Sequence, residues 1–141
     1  MSTDTVQLCA FRVGKHEYVL DIMRVEEVLI SPRPTPLPDG SGAVHGVVSL
    51  RGQVLPVIDV RRRLGEEQQV FGRLLVCRVG PRRLGLIVDR VTQIFRLLKS
   101  ELKPAPGGPP TAKYPVMGVC QAGERLLLML DVKSLLKPAE T

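Results

Sequence analysis

Few residues of this chain are of a type that does chemistry, and their spacing argues against most of it. The acidic side chains that could pair for proton transfer are Glu26 with Glu27, Glu66 with Glu67, and Asp59 with Asp131. Neighbouring positions point in different directions, so the first two pairs suit neither a shared proton nor two carboxyls flanking one bond. Asp59 and Asp131 each stand directly before a short segment with helical character, where an aspartate accepts from free amides, and capping is the role expected of both. Neither His16 nor His45 has a metal-ligand neighbour at useful spacing, so no metal site is expected. There is no G-x-S-x-G elbow, no glycine loop ending in Gly-Lys-Ser/Thr, and no G-x-G-x-x-G after a strand. Asp39-Gly40-Ser41-Gly42 matches a phosphate loop in composition only, because no lysine-led helix follows it. Neither catalysis nor a cofactor is expected.

Cys9, Cys77 and Cys120 each lie in an apolar run without C-x-x-C spacing and are expected to be reduced, buried, small hydrophobes. One residue remains that folding alone does not explain: Arg51, at the tip of the apolar hairpin Ser49-Leu50-Arg51-Gly52. It is either simply solvated or held by a carboxylate such as Glu27 to shape a binding surface.

The elements that would position these residues come from a chain of 141 residues, 44% apolar, with 20 Lys and Arg against 14 Asp and Glu. Such a chain fits one compact domain or two small barrels fused together. Its net charge of +6 favours acidic partners, and a small-barrel nucleic-acid-binding protein is the reading that charge alone suggests. Three Phe, two Tyr and no Trp offer few stacking platforms for bases, and the basic residues are scattered apart from Arg61, Arg62 and Arg63. The opening MSTDTVQLCAF lacks a basic segment before a long apolar run, and no stretch reaches the roughly 18 apolar residues of a membrane span, so a cytoplasmic protein is expected.

The chain repeats itself. FRVGKHEYVLDIMRVEEV from Phe11 aligns without gaps on CRVGPRRLGLIVDRVTQI from Cys77, an offset of 66. HGVVSLRGQVLPVIDVRRRLG from His45 aligns on MGVCQAGERLLLMLDVKSLLK from Met117, an offset of 72, pairing Gly46 with Gly118 and Asp59 with Asp131. The six-residue difference falls around Lys103 to Thr111. Two copies of one unit are implied, residues 1–66 and 67–141, too few for a solenoid and therefore closed little domains packed on each other.

Within each copy the patterns are those of short strands and turns. Val6 to Val13 and Glu17 to Ile22 form a hairpin, with Cys9, Phe11 and Val13 on one face. Leu74 to Val79 and Leu84 to Val88 repeat it, with Leu75, Cys77 and Val79 inward and Arg78 toward water. Val44 to Leu50 and Gln53 to Ile58 make a second hairpin whose Pro56 argues for an edge or a bulge; Val116 to Gln121 and Arg125 to Leu130 repeat it. Short helices follow at Val60 to Leu64 and Val132 to Leu136. Asp21 to Ile30 reads either as a helical turn or as an irregular edge strand, and Pro32, Pro34, Pro36 and Pro38 make a surface loop. The fold class is all-β: a pair of small antiparallel barrels with short helices, joined by an apolar, permanent seam.

With these blocks in view, the sequence resembles the CheW family, the coupling proteins of bacterial chemotaxis arrays. The match runs over about residues 6 to 137, and its specificity lies in Gly46, Leu50-Arg51-Gly52, Pro56, Ile58-Asp59 and Gly85 with Val88-Asp89 in this order. The resemblance implies two five-stranded SH3-like barrels, with the place of the N-terminal strand relative to its following barrel left open. It implies an adaptor between the cytoplasmic tip of a methyl-accepting chemoreceptor and the regulatory domain of a CheA-type histidine kinase, recruited to membrane-associated arrays. It places Glu27 and Arg51 near the receptor-binding groove, with Ile22, Val54, Val88 and Asp89 as further groove candidates. It places Pro56, Val57, Ile58, Arg61 and Arg62 on the kinase side. Coupling in a related non-flagellar array fits the same motifs. The sequence departs from the family at Ser49, where Asn is usual, and at His45, where a long polar or charged side chain is common. Little follows Leu136, where many members continue into a longer C-terminal helix.

Overall fold

The computed structural model describes residues 4–37, 44–66 and 72–137. In chain order the strands are β1 (Thr5–Val13), β2 (His16–Asp21), β3 (Val25–Ile30), β4 (Thr35–Pro36), β5 (Gly46–Leu50) and β6 (Gln53–Asp59), followed by helix α1 (Val60–Arg63). The second series is β7 (Arg73–Val79), β8 (Arg82–Val88), β9 (Arg90–Leu98), β10 (Lys103–Pro104), β11 (Val116–Ala122) and β12 (Arg125–Leu130), followed by α2 (Val132–Leu135). The two series correspond strand by strand, as the internal repeat requires. Both halves of the ambiguous segment are realised: Ile22–Arg24 is a single 3-10 turn capped by Asp21, and β3 follows it directly.

The strands form two sheets, each with five full strands and one two-residue strand, in the SH3-like arrangement the sequence implied. Their order corrects the expected division at residue 66. One sheet runs β10-β11-β12-β2-β1-β9 and the other β3-β7-β8-β6-β5-β4. Each barrel therefore takes its leading hairpin from the other copy. The ladders that carry this exchange are β1 against β9, antiparallel, and β12 against β2, parallel; β3 against β7 and β6 against β8 repeat them. The pairing that decides which hairpin belongs to which barrel is thus non-local, whereas the division at residue 66 followed chain order.

Both faces of the exchanged hairpins are buried, which is why they read as continuous apolar runs. Leu8 and Ala10 fill one barrel with Val19, Cys120 and Leu127, while Leu74 and Val76 fill the other with Val48, Leu55 and Val57. The opposite face of each hairpin makes the seam. Cys9, Phe11, Val13, Leu75, Cys77 and Val79 meet there with Ile58, Val60, Leu130, Val132 and Leu135, in the largest apolar cluster among the described residues. Burying side chains of this size contributes about 1.5–3 kcal/mol each before entropy is counted, so the seam is a core and not a docking contact. Cys9, Cys77 and Cys120 are free and buried, and burial pushes the Cys77 thiol up to about 12.

Two glycines show what the repeat preserves. A Cβ on Gly46 would stand 2.6 Å from the Thr35 carbonyl oxygen, and one on Gly118 would stand 2.9 Å from that of Lys103. Each stands opposite the proline of the two-residue strand, β4 or β10, that pairs beside it. Pro56 corrects the expected edge or bulge: β6 is an interior strand between β8 and β5, and it takes a proline because its parallel ladder with β8 runs only from Val57 to Asp59.

Candidate partner-binding site

Arg51 and Glu27 meet. The guanidinium donates to both carboxylate oxygens, with Nη1 to Oε2 at 2.8 Å. Glu27 lies on β3, one edge of its sheet, and Arg51 on the β5–β6 turn near the other edge, so the pair spans the barrel where no strand does. The hydrogen bonds from Arg51 hold the Glu27 carboxyl below its ordinary pKa and raise that of Arg51.

The backbone marks Arg51 as well. The hairpin pairs Leu50 with Gln53, leaving Arg51 and Gly52 as a two-residue loop with φ of 50° and 79°. Three other hairpin turns place glycine first, Gly14, Gly80 and Gly123, with φ of 62°, 61° and 63°. An arginine here holds a left-handed conformation that costs about 1 kcal/mol or more.

A second layer braces the pair. Arg83 donates from Nε to Glu26 Oε1 at 3.0 Å and from Nη1 to Gln53 Oε1 at 2.8 Å, tying β8 to β3 and to the start of β6. Arg78 adds a longer contact to Glu26 at 3.9 Å. Neither Arg83 nor Gln53 was singled out by sequence reasoning; the signal available was their correspondence with Glu17 and Arg125 in the repeat. Beside this layer, Leu50, Gln53, Val54, Leu55, Pro81 and Arg83 line a shallow cavity of about 240 Å³. Val54 is 72% exposed, and Val28 and Ile30 are exposed on the outer face of β3. A bidentate ion pair and exposed aliphatic side chains on one barrel suit a protein partner with an apolar centre and a polar rim.

The remaining candidates divide by burial. Ile22 is half-buried in the 3-10 turn between β2 and β3, so of the groove candidates Val54 and Ile22 are at least partly accessible beside Glu27 and Arg51. Val88 is fully buried in the seam, and Asp89 is turned inward, accepting the Gly14 amide at 2.8 Å and facing Arg61 Nη1 at 3.5 Å. These two are corrected from groove residues to framework.

Of the kinase-side candidates Pro56 and Arg62 reach the surface, whereas Val57 and Ile58 are core. Arg61 is 5% exposed and donates from Nε and Nη2 to the two oxygens of Asp59, each at 3.0 Å. Val57, Ile58 and Arg61 are thereby corrected as well. A run of three arginines reads as solvated surface, but a four-residue helix turns one of them back over its own cap. Asp59 does cap α1, accepting the Arg61 amide at 3.1 Å. Asp131 makes no such bond to α2 and instead accepts the Ser134 hydroxyl at 2.6 Å, so the expected side-chain cap of the second helix is not formed.

Among the described residues no group of three or more His, Cys, Asp or Glu gathers as a metal site, and no helix is long and apolar enough to cross a membrane.

With this geometry in place, comparison with known proteins becomes decisive. The CheW-like domain family matches residues 7–140. The chain belongs to the CheW-like family. It is 30% identical over 134 residues to the chemotaxis protein CheW of Klebsiella aerogenes, covering 92% of this chain and 81% of that protein. It is 33% identical over 134 residues to protein FrzA of Myxococcus xanthus, covering 92% and 84%. The scaffolding protein TtCheW of Thermoanaerobacter tengcongensis superposes with a TM-score of 0.79 at 25% identity, covering 90% of this chain and 89% of that one. This CheW-like chain is a chemotaxis signal-transduction adaptor, and nucleic-acid binding finds no support among these relatives.

Proposed function

We propose that this CheW-like adaptor couples the cytoplasmic tip of a methyl-accepting chemoreceptor to the regulatory domain of a CheA-type histidine kinase. It does so in the cytoplasm at membrane-associated arrays, without chemistry of its own. The observation that carries the reading is Arg51, held in a strained turn by Glu27 and left exposed beside Val54. Glu27, Arg51, Val54 and Ile22 are the receptor side; Pro56 and Arg62 are the kinase side.

Calorimetric titration with each isolated partner at about 0.15 M salt tests the proposal. Saturable binding of the kinase regulatory domain and of a receptor-tip fragment is expected, with Arg51→Glu losing the receptor while retaining the kinase. A folded wild-type protein that binds neither partner removes the coupling function.

A second reading, coupling within a related non-flagellar chemosensory array, is favoured by the likeness to FrzA. Deletion of the gene separates the two: loss of swimming chemotaxis points to a flagellar array, and loss of surface motility alone points to the related one.

A further inference from the structure

The exchange of leading hairpins between barrels has a rival, in which each copy closes on its own hairpin. The repeat makes that rival concrete, because the ladder registers are the same in both barrels. Gln7 lies opposite Arg96 in one sheet, and its counterpart Arg73 lies opposite Ile30 in the other. Unexchanged, Gln7 would take the place of Arg73 and face Ile30.

Two positions on each return strand tell the hairpins apart. The first is charged. Glu17 on β2 is buried and accepts Arg125 Nε at 2.9 Å and the Thr92 hydroxyl at 2.5 Å, while Arg125 also lies over the Phe95 ring at 4.9 Å. The repeat maps Glu17 onto Arg83, Thr92 onto Glu26 and Arg125 onto Gln53. In the other barrel Arg83 bonds Glu26 and Gln53. The same three positions are bonded in both barrels, but the hairpin residue is an anion answered by a cation on β12 in one and a cation answered by an anion on β3 in the other. Unexchanged, Glu17 would face Glu26, and Arg83 would face Arg125. Like charges then meet in both barrels.

The second position is steric. Val19 maps onto Gly85, where a Cβ would stand 2.6 Å from Leu74 Cδ1 of its own hairpin and 2.9 Å from Val57 Cγ1 of the host barrel. Hairpin β1–β2 therefore carries both the wrong charge and the wrong bulk for the barrel of its own copy.

We infer that Glu17 and Val19 on β2, with Arg83 and Gly85 on β8, are a pairing code that selects exchanged over self-closed barrels. The code is read by Arg125 and Thr92 in one barrel and by Glu26, Gln53 and Val57 in the other.

Reversing it is the test. Cysteine pairs Gln7→Cys with Arg96→Cys, and Gln7→Cys with Ile30→Cys, report the two pairings through a short bismaleimide, since the three native cysteines are buried. On the otherwise wild-type chain the 7–96 pair should cross-link and the 7–30 pair should not. Adding Glu17→Arg, Val19→Gly, Arg83→Glu and Gly85→Val should shift the ratio of the two products at least about tenfold toward 7–30. Retention of 7–96 at wild-type yield in that variant overturns the inference. If the fourfold variant does not fold, a smaller pair decides. Glu17→Arg alone should lower the 7–96 yield, and Arg125→Glu added to it should restore that yield; failure to restore it equally overturns the code.

Discussion

Arg61 and Arg51 each hold a carboxylate with two hydrogen bonds, yet one is framework and the other is surface. Arg61 is packed between Asp59 and Asp89, and Asp89 in turn takes the Gly14 amide of the β1–β2 turn. That cluster joins α1, the β8–β9 junction and the exchanged hairpin, so its charges work only as a set. Arg51 and Glu27 sit in water at the mouth of one barrel, where solvent screening leaves the pair little weight in folding. What separates the two arginines is desolvation: the buried one cannot lose a partner cheaply, and the exposed one can trade Glu27 for a partner's carboxylate.

The sharpest way to break the comparison is Arg61→Ala, which strands Asp59 and Asp89 in the interior. A loss of roughly 3–5 kcal/mol is expected, read as a lower urea midpoint; a loss no larger than that of an average surface substitution would place Arg61 with Arg51. Arg51→Glu should leave the urea midpoint close to that of the wild type while weakening receptor binding at least about tenfold, the loss expected when a central charged contact is reversed.

His45 gives a milder effect of the same kind as Arg61. Its Nδ1 accepts the Asp59 amide at 3.0 Å, a bond that requires the nitrogen to be unprotonated. Burial and the nearby Arg62 hold the imidazole pKa below its ordinary 6.5. The unfolded chain therefore binds this proton first, so the contribution is complete above pH 6.5, declines as pH falls below it, and levels off once the folded-state value is passed. Urea unfolding at about pH 7.5 and 5.5 should show the decline, and His45→Gln should reduce it. The smallest effect is expected from Arg51→Gly, which removes the left-handed strain together with the contact. Thermal stability should be unchanged or slightly raised while receptor binding falls, the signature of a residue kept for function.

Much of this was legible from the residues. Matched glycines, the recurring Asp-Val pair and alternating runs announced a duplicated β unit, and an arginine displacing glycine in one turn of the repeat stood out as either solvated or held by a carboxylate such as Glu27. Three features were not legible. Arg61 could not be told from Arg62 and Arg63, because helix direction in a four-residue segment depends on what packs over it. Val57, Ile58 and Val88 lie in strands covered on both faces, so alternation could not assign them to a surface. The hairpin exchange was hidden because Glu17 and Val19 on β2, and Arg83 and Gly85 on β8, acquire meaning only against distant residues such as Arg125 and Glu26.

That exchange also sets an order of events on the ribosome. The barrel containing β3 to β6 can be completed as soon as Val88 has emerged, because its borrowed hairpin, β7–β8, comes next in the chain. The N-terminal hairpin, made first, has its own barrel only after β12 has been synthesised up to Leu130. For most of translation the oldest part of the chain must wait with an apolar face uncovered, near a younger half-barrel that would accept it were Glu17 not opposed there by Glu26. The carboxylate that later seals one barrel thus spends the period of synthesis keeping its hairpin out of the other.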